Sequence, residues 1–119
     1  MNPEITTLAL SNIRTALEEF SSINEAMPVS HMIAFLTIVL WPGRSVGEYA
    51  RLLGCAPGPT SRRISNLGNL MRDLQPGFGL VQSRCDDPRD RRLIIVTPTA
   101  KGLALAEKLT AAMERRRVT

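Results

Sequence analysis

Arginine carries most of the recognisable chemistry in this sequence. Arg62 and Arg63 follow Pro57-Gly58-Pro59-Thr60-Ser61, and Arg84, Arg89, Arg91 and Arg92 are interleaved with Asp86, Asp87 and Asp90. A planar guanidinium fork suits phosphate oxygens and the guanine edge better than the point charge of lysine. Thirteen of the fifteen basic side chains are arginine, the other two being Lys101 and Lys108. Genome base composition is the alternative source of that bias. No nucleophile–base pair and no metal-ligand spacing is visible, so the residues point away from an enzyme and no cofactor is expected. The three aspartates share their turn with arginines that would repel a metal cation. His31 reads as a packed or surface histidine rather than a ligand. Cys55 and Cys85 do not make a disulfide framework and read as reduced thiols of a cytoplasmic protein. Redox sensing would need an exposed, low-pKa thiolate, which no sequence feature assures.

The charge is unevenly distributed. Of the net +4, residues 1–40 carry −3, residues 41–92 carry +4 and residues 93–119 carry +3. An acidic head and a basic body point to a polyanion at the middle and end of the chain. With 119 residues, 44% hydrophobic and 22% charged, the composition is that of one globular domain rather than a disordered chain. The longest apolar run, Met32 to Trp41, is about half the ~20 residues of a membrane helix, and no basic-then-apolar signal segment opens the chain.

The elements that must position the arginines follow from local signals. Asn2-Pro3 reads as a helix start, and Ile5, Leu8, Ile13, Ala16, Leu17, Phe20 and Ile23 recur at helical spacing to about residue 25. A buried helix from Pro28 would carry Met32, Ile33, Phe35, Leu36, Val39 and Leu40. Ser45-Val46-Gly47-Glu48 fits a capping box, opening a short helix that buries Val46, Tyr49, Ala50, Leu52 and Leu53 and ends at Gly54. Trp41 and Tyr49 read as core anchors. The next helix has Pro57-Gly58-Pro59 in its first turn and runs through Leu67 toward Leu74. Two helices across a short Gly-containing turn are a helix-turn-helix. Leu80–Cys85 and Arg92–Thr97 read as strands around a polar turn. Thr97 as N-cap and Pro98 open a last helix with Leu103, Ala106, Leu109 and Met113 on one face.

The stretches Gly79-Leu80-Val81-Gln82-Ser83-Arg84, Asp87-Pro88-Arg89-Asp90-Arg91-Arg92 and Val96-Thr97-Pro98-Thr99-Ala100-Lys101-Gly102 together resemble the wing and following helix start of MarR-type transcriptional regulators. Ala50-Arg51-Leu52-Leu53-Gly54 and Thr60-Ser61-Arg62-Arg63-Ile64 are similar to that family's A-x-x-L-G and V-S-R-x-V segments. The resemblance covers residues 28 to about 110. It implies a mainly α fold with a small β-hairpin: a winged helix-turn-helix core over 28–97, with dimerisation helices over 1–27 and 98–119. Two departures, a longer passage from Leu67 to Gly79 and a single C-terminal helix, resemble the short MarR-like proteins of phages and mobile elements. They speak against a small-molecule sensor.

What the resemblance implies is a sequence-specific, double-stranded-DNA-binding regulator, expected to be a repressor. It would be a homodimer on a palindromic operator, cytoplasmic and nucleoid-associated in a prokaryote, with a regulatory protein as a further expected partner. The DNA-binding residues carried over are Pro57, Gly58, Thr60, Ser61, Arg62, Arg63 and Ser65 of the recognition helix and Arg89, Asp90, Arg91 and Arg92 of the wing. Arg62 is the side chain able to grip guanine bidentately, and Asp90 would orient Arg92 at the minor groove. The bland alternatives are solvated arginines on the helix and a self-neutralised hairpin turn. The competing function is a winged-helix protein-interaction or adaptor module of a mobile element.

Overall fold

The computed structural model describes residues 3–69, 76–85, 87, 89 and 94–115. Seven elements follow one another: α1 (Pro3–Ile23), α2 (Val29–Leu40), α3 (Val46–Leu53), α4 (Pro57–Leu67), β1 (Val81–Cys85), β2 (Ile94–Pro98) and α5 (Ala100–Glu114). Helices α2, α3 and α4 pack on one another, α2 and α3 also pack on β2, and α1 lies along α5. Five helices and a two-stranded hairpin are the mainly α, winged helix-turn-helix architecture the sequence predicts.

The helix-turn-helix is built from local rules. Ser45 Oγ accepts the Glu48 amide at 3.2 Å, and Glu48 Oε1 accepts the Ser45 amide at 3.4 Å, so both halves of the capping box form. Gly54 closes α3 in the left-handed conformation. Ala56 is the N-cap of α4 and offers no side-chain bond. Prolines at 57 and 59 compensate by removing two of the amides that a helix start leaves without partners.

The hairpin pairs β1 and β2 antiparallel, with Val81 opposite Pro98 and Cys85 opposite Ile94. The sequence reading missed a third participant. Arg44, before α3, forms an isolated bridge to Val96, with Gly43 N–H donating to Val96 O and Val96 N–H to Arg44 O, both at 2.9 Å. Fully buried Tyr49 ties this junction from inside. Its hydroxyl donates to the Trp41 carbonyl at 2.7 Å and accepts the Arg44 amide at 3.3 Å. Burial pushes the Tyr49 phenol above its ordinary value.

The predicted extension of α4 toward Leu74 does not occur: the helix ends at Leu67 with Gly68 as its cap. Residues 70–75 lie outside the described set. What returns is a strap of backbone bonds. The amides of Gly77, Phe78, Gly79 and Leu80 donate to the carbonyls of Asn69, Asn66, Gly68 and Leu67 at 2.7–3.0 Å. Those of Asn66 and Leu67 are carbonyls that the helix end leaves orphaned, so the long passage works as a C-terminal cap. Gly77 is required there because a Cβ would meet the Gly68 carbonyl oxygen.

The core joins Phe20, Phe35, Ile38, Tyr49, Ile64, Leu67, Phe78, Leu80, Val81, Val96, Leu105 and Leu109. Several residues of α2, its cap and α3 that were predicted as core lie outside it. Trp41 is 45% exposed, and Leu52 also faces outward. In α2, Ile33, Leu36 and Leu40 are exposed, because that helix buries only the face turned to α3, α4 and β2. In α1, Phe20 is buried but Ile5, Ile13 and Leu17 are exposed, and Asn12 takes the buried position instead. In α5 the packed face is Gly102, Leu105, Leu109 and Ala112, with Leu103 and Met113 outside. That helix also starts two residues later than predicted. Pro98 completes β2, and Thr99 is the N-cap, its Oγ1 accepting the Gly102 amide at 3.1 Å.

The molecule is elongated, 57 × 26 × 26 Å with a radius of gyration of 16.1 Å, against about 13.5 Å for a compact globule of this length. Asn12 Nδ2 pins the arm by donating to the Arg115 carbonyl at 2.9 Å, past the end of α5.

Candidate nucleic-acid interface

Helix α4 divides into two faces. Thr60, Ile64 and Leu67 are buried against α2 and α3, three positions at helical spacing. Gly58, Ser61, Arg62 and Ser65 are exposed on the opposite side, as is Pro57 at the helix start. One predicted site residue is on the wrong face: Thr60 is fully buried, and its hydroxyl donates to the Ala56 carbonyl at 3.0 Å. The helix period places it four residues before Ile64, so it stabilises the first turn rather than facing outward.

The two neighbouring arginines have different environments. Arg62 makes no ion pair or side-chain hydrogen bond among the described residues, so its whole fork faces outward. Arg63 is half-buried, and its Nη1 donates to Cys55 Sγ at 3.3 Å across the helix-turn-helix link. Exposed Arg84, on β1, and Arg89 likewise make no ion pair among the described residues. The Arg89 amide donates to Asp87 Oδ1 at 2.9 Å, an Asx turn that starts the wing tip. Asp90, Arg91 and Arg92 lie outside the described residues.

Behind α4, His31 joins that helix to α2. Asn66 Nδ2 is 3.0 Å from His31 Nε2, Ser30 Oγ is 3.3 Å from Nδ1, and Phe78 packs edge-on at 6.4 Å. An amide donating to Nε2 selects the neutral ring with its proton on Nδ1. Burial first, and then the Arg63 guanidinium, hold the imidazole below its ordinary value of 6.5. Because the native value is lowered, the stability it supplies is full above pH 6.5. It declines below that and is lost as pH falls through the native value. The urea midpoint is expected to drop between pH 7.5 and pH 5, with His31→Gln flattening the drop. An unchanged slope in the variant would assign the acid sensitivity elsewhere.

Sequence reasoning missed both the burial of Thr60 and the polar side chains at the far end of α4. Asn69, after its cap, and Gln82 and Ser83, on β1, stand beside Ser65. Only the tertiary approach of β1 to α4 brings them together.

No protein-family model and no curated protein matches the sequence. Solved structures do match. A MarR-like transcriptional regulator from Thermotoga maritima superposes with a TM-score of 0.65 at 24% identity, over 96% of this chain and 77% of its own. A second Thermotoga maritima transcriptional regulator gives 0.63 at 24%, over 92% and 67%. A MarR family transcription regulator gives 0.60 at 19%, over 92% of this chain and 62% of its own. The chain thus spans roughly two thirds to three quarters of these proteins. With its five helices and two-stranded hairpin matching these neighbours, the chain has the winged-helix fold of MarR-type transcriptional regulators.

Proposed function

We propose that this chain is a sequence-specific regulator of transcription that binds duplex DNA, a repressor acting as a homodimer on a palindromic operator in the prokaryotic cytoplasm. The observation that supports this most is the outward face of α4, where Ser61, Arg62 and Ser65 are exposed and the Arg62 fork is uncommitted. A recognition helix enters the major groove with its N-terminal half against base edges. Arg62 would grip guanine, and Pro57 and Gly58 would let the backbone approach. Arg63, held sideways by Cys55, would meet a phosphate. The wing residues Arg89, Asp90, Arg91 and Arg92 would reach the adjacent minor groove, whose negative potential attracts guanidinium. Residues 1–27 and 98–119 would form the dimer arms around a 28–97 core.

Selection of bound duplexes from a random pool tests the reading. One palindromic motif is expected to be enriched. Arg62→Ala is then expected to lose discrimination at one base position, worth ~1–3 kcal/mol. Arg92→Ala is expected to weaken all duplexes alike and to lower the salt slope by about one. A pool with no enriched duplex would overturn the reading in favour of a protein-interaction module.

A further inference from the structure

Between the C-terminal end of α4 and β1 lies a cleft of about 260 Å³, lined by the polar Ser65, Asn69, Gln82 and Ser83 together with Gly68 and the apolar Ile64 and Val81. Its composition is unusual for this protein in two ways. It holds no charged side chain, although arginines dominate the surfaces on either side. Four of its side chains are hydrogen-bonding groups, and none of the four makes a side-chain hydrogen bond within the chain among the described residues. Ser65, Asn69, Gln82 and Ser83 are all exposed, so their capacity is open to a ligand. The cleft floor is set by the fold: Gly68 packs beside β1, where a Cβ would stand at ordinary contact distance, 3.5 Å, from the Val81 carbonyl oxygen. The strap through Gly77 to Leu80 holds that approach.

We propose that this cleft seats one segment of the DNA sugar–phosphate backbone through neutral hydrogen bonds. The inference rests on the duplex-DNA reading above. If α4 enters a major groove and the hairpin tip enters the neighbouring minor groove, one strand of backbone must pass between them, because the two grooves are separated only by that strand. The cleft is what the protein presents at that place, between the exposed face of α4 and the strand that leads to the wing. Phosphate and sugar contacts come from Ser, Asn and Gln as well as from cations, and they fix register without reading sequence. A base edge would require a side chain projecting from the helix face into the groove, as Arg62 does, rather than donors set back in a cleft. A neutral seat also has a signature that no arginine contact shares. Salt dependence counts the cations that displace counterions, so removing neutral donors lowers affinity while leaving the salt slope in place.

The test is the double variant Gln82→Ala/Ser83→Ala of the full chain, measured on a selected duplex and on a scrambled duplex of equal length at several salt concentrations. Both substitutions are on exposed strand positions, and the thermal midpoint checks that the fold is intact. Affinity is expected to fall about tenfold on both duplexes with an unchanged slope of log K against log salt. Asn69→Ala, on the other wall, is expected to give a smaller loss of the same kind. A walk of single neutral methylphosphonates along the selected duplex is expected to find one position in each half-site that weakens the parent but not the double variant. Unchanged affinity in both variants would overturn the seat while Arg62→Ala still tests the DNA reading. A loss confined to the selected duplex would make the cleft a base reader and overturn the proposal, as would a lowered salt slope. A parent that binds neither duplex would overturn the seat together with the reading on which it rests.

Discussion

Gly102→Ala is expected to destabilise the fold by about 3 kcal/mol or more, at the upper end for overpacking. The reason is where α5 crosses the end of the strap. A Cβ on Gly102 would meet the Leu80 carbonyl oxygen and, at 3.3 Å, Phe35 Cε1. The first obstacle is backbone, so no rotamer change relieves it. Moving α5 away would disturb bonds that converge on the same spot: Thr99 N–H to Leu80 O at 3.0 Å, Thr99 Oγ1–H to Gly79 O at 2.6 Å, and Lys101 Nζ to Phe78 O at 3.0 Å. For a domain of this size the thermal midpoint should fall by about 10 °C. Gly58→Ala is the control, since a Cβ there meets nothing within 4 Å in the first turn of α4. Urea unfolding of the two variants checks the contrast, and a Gly102→Ala variant within 0.5 kcal/mol of the parent, about the scatter of neutral substitutions, would show that α5 shifts at little cost.

The second large effect concerns assembly. Leu36, Val39 and Leu40 of α2 and Ala106, Leu109 and Met113 of α5 line an apolar groove of about 410 Å³, with Leu40 66% and Met113 53% exposed. The arm of α1 adds exposed Ile5, Ile13 and Leu17. An elongated chain with apolar side chains left on its terminal helices is suited to an isologous pairing, in which the same patch serves both copies. Leu40→Glu/Met113→Glu places two carboxylates where that pairing would bury them, at positions whose exposure leaves the monomer's own packing alone. Light scattering at tens of micromolar is expected to report twice 13.1 kDa for the parent and 13.1 kDa for the variant. Operator affinity should fall a hundredfold or more, because two linked half-site contacts become two separate ones. A monomeric parent would defeat the homodimer proposal outright.

Much of the architecture was legible from the residues because its determinants are local. The Ser45–Glu48 capping box, the stop at Gly54, the prolines opening α4 and the β-branched run into β2 each act within a few residues, and each occurs where the spacing indicates. The same holds for Arg62, which four-residue periodicity puts opposite the buried Ile64 face.

What the tertiary structure decided is which apolar side chains find a partner and where distant backbones meet. Periodicity shows that a helix has an apolar stripe, but it does not say whether the chain itself covers it. Ile33, Leu36, Leu40 and Trp41, expected in the core, therefore stand exposed, while Asn12 and Thr60 are buried, each side chain donating to a carbonyl. The bridge from Arg44 to Val96, the strap from Gly77 to Leu80 and the neutral cleft of Ser65, Asn69, Gln82 and Ser83 all join residues more than a helical turn apart in sequence. The bridge and the strap are held by backbone groups, which every residue carries alike. Local pattern therefore determined the elements and the charged face, and only the meeting of those elements determined the strap, the Arg44–Val96 bridge and the cleft between α4 and β1.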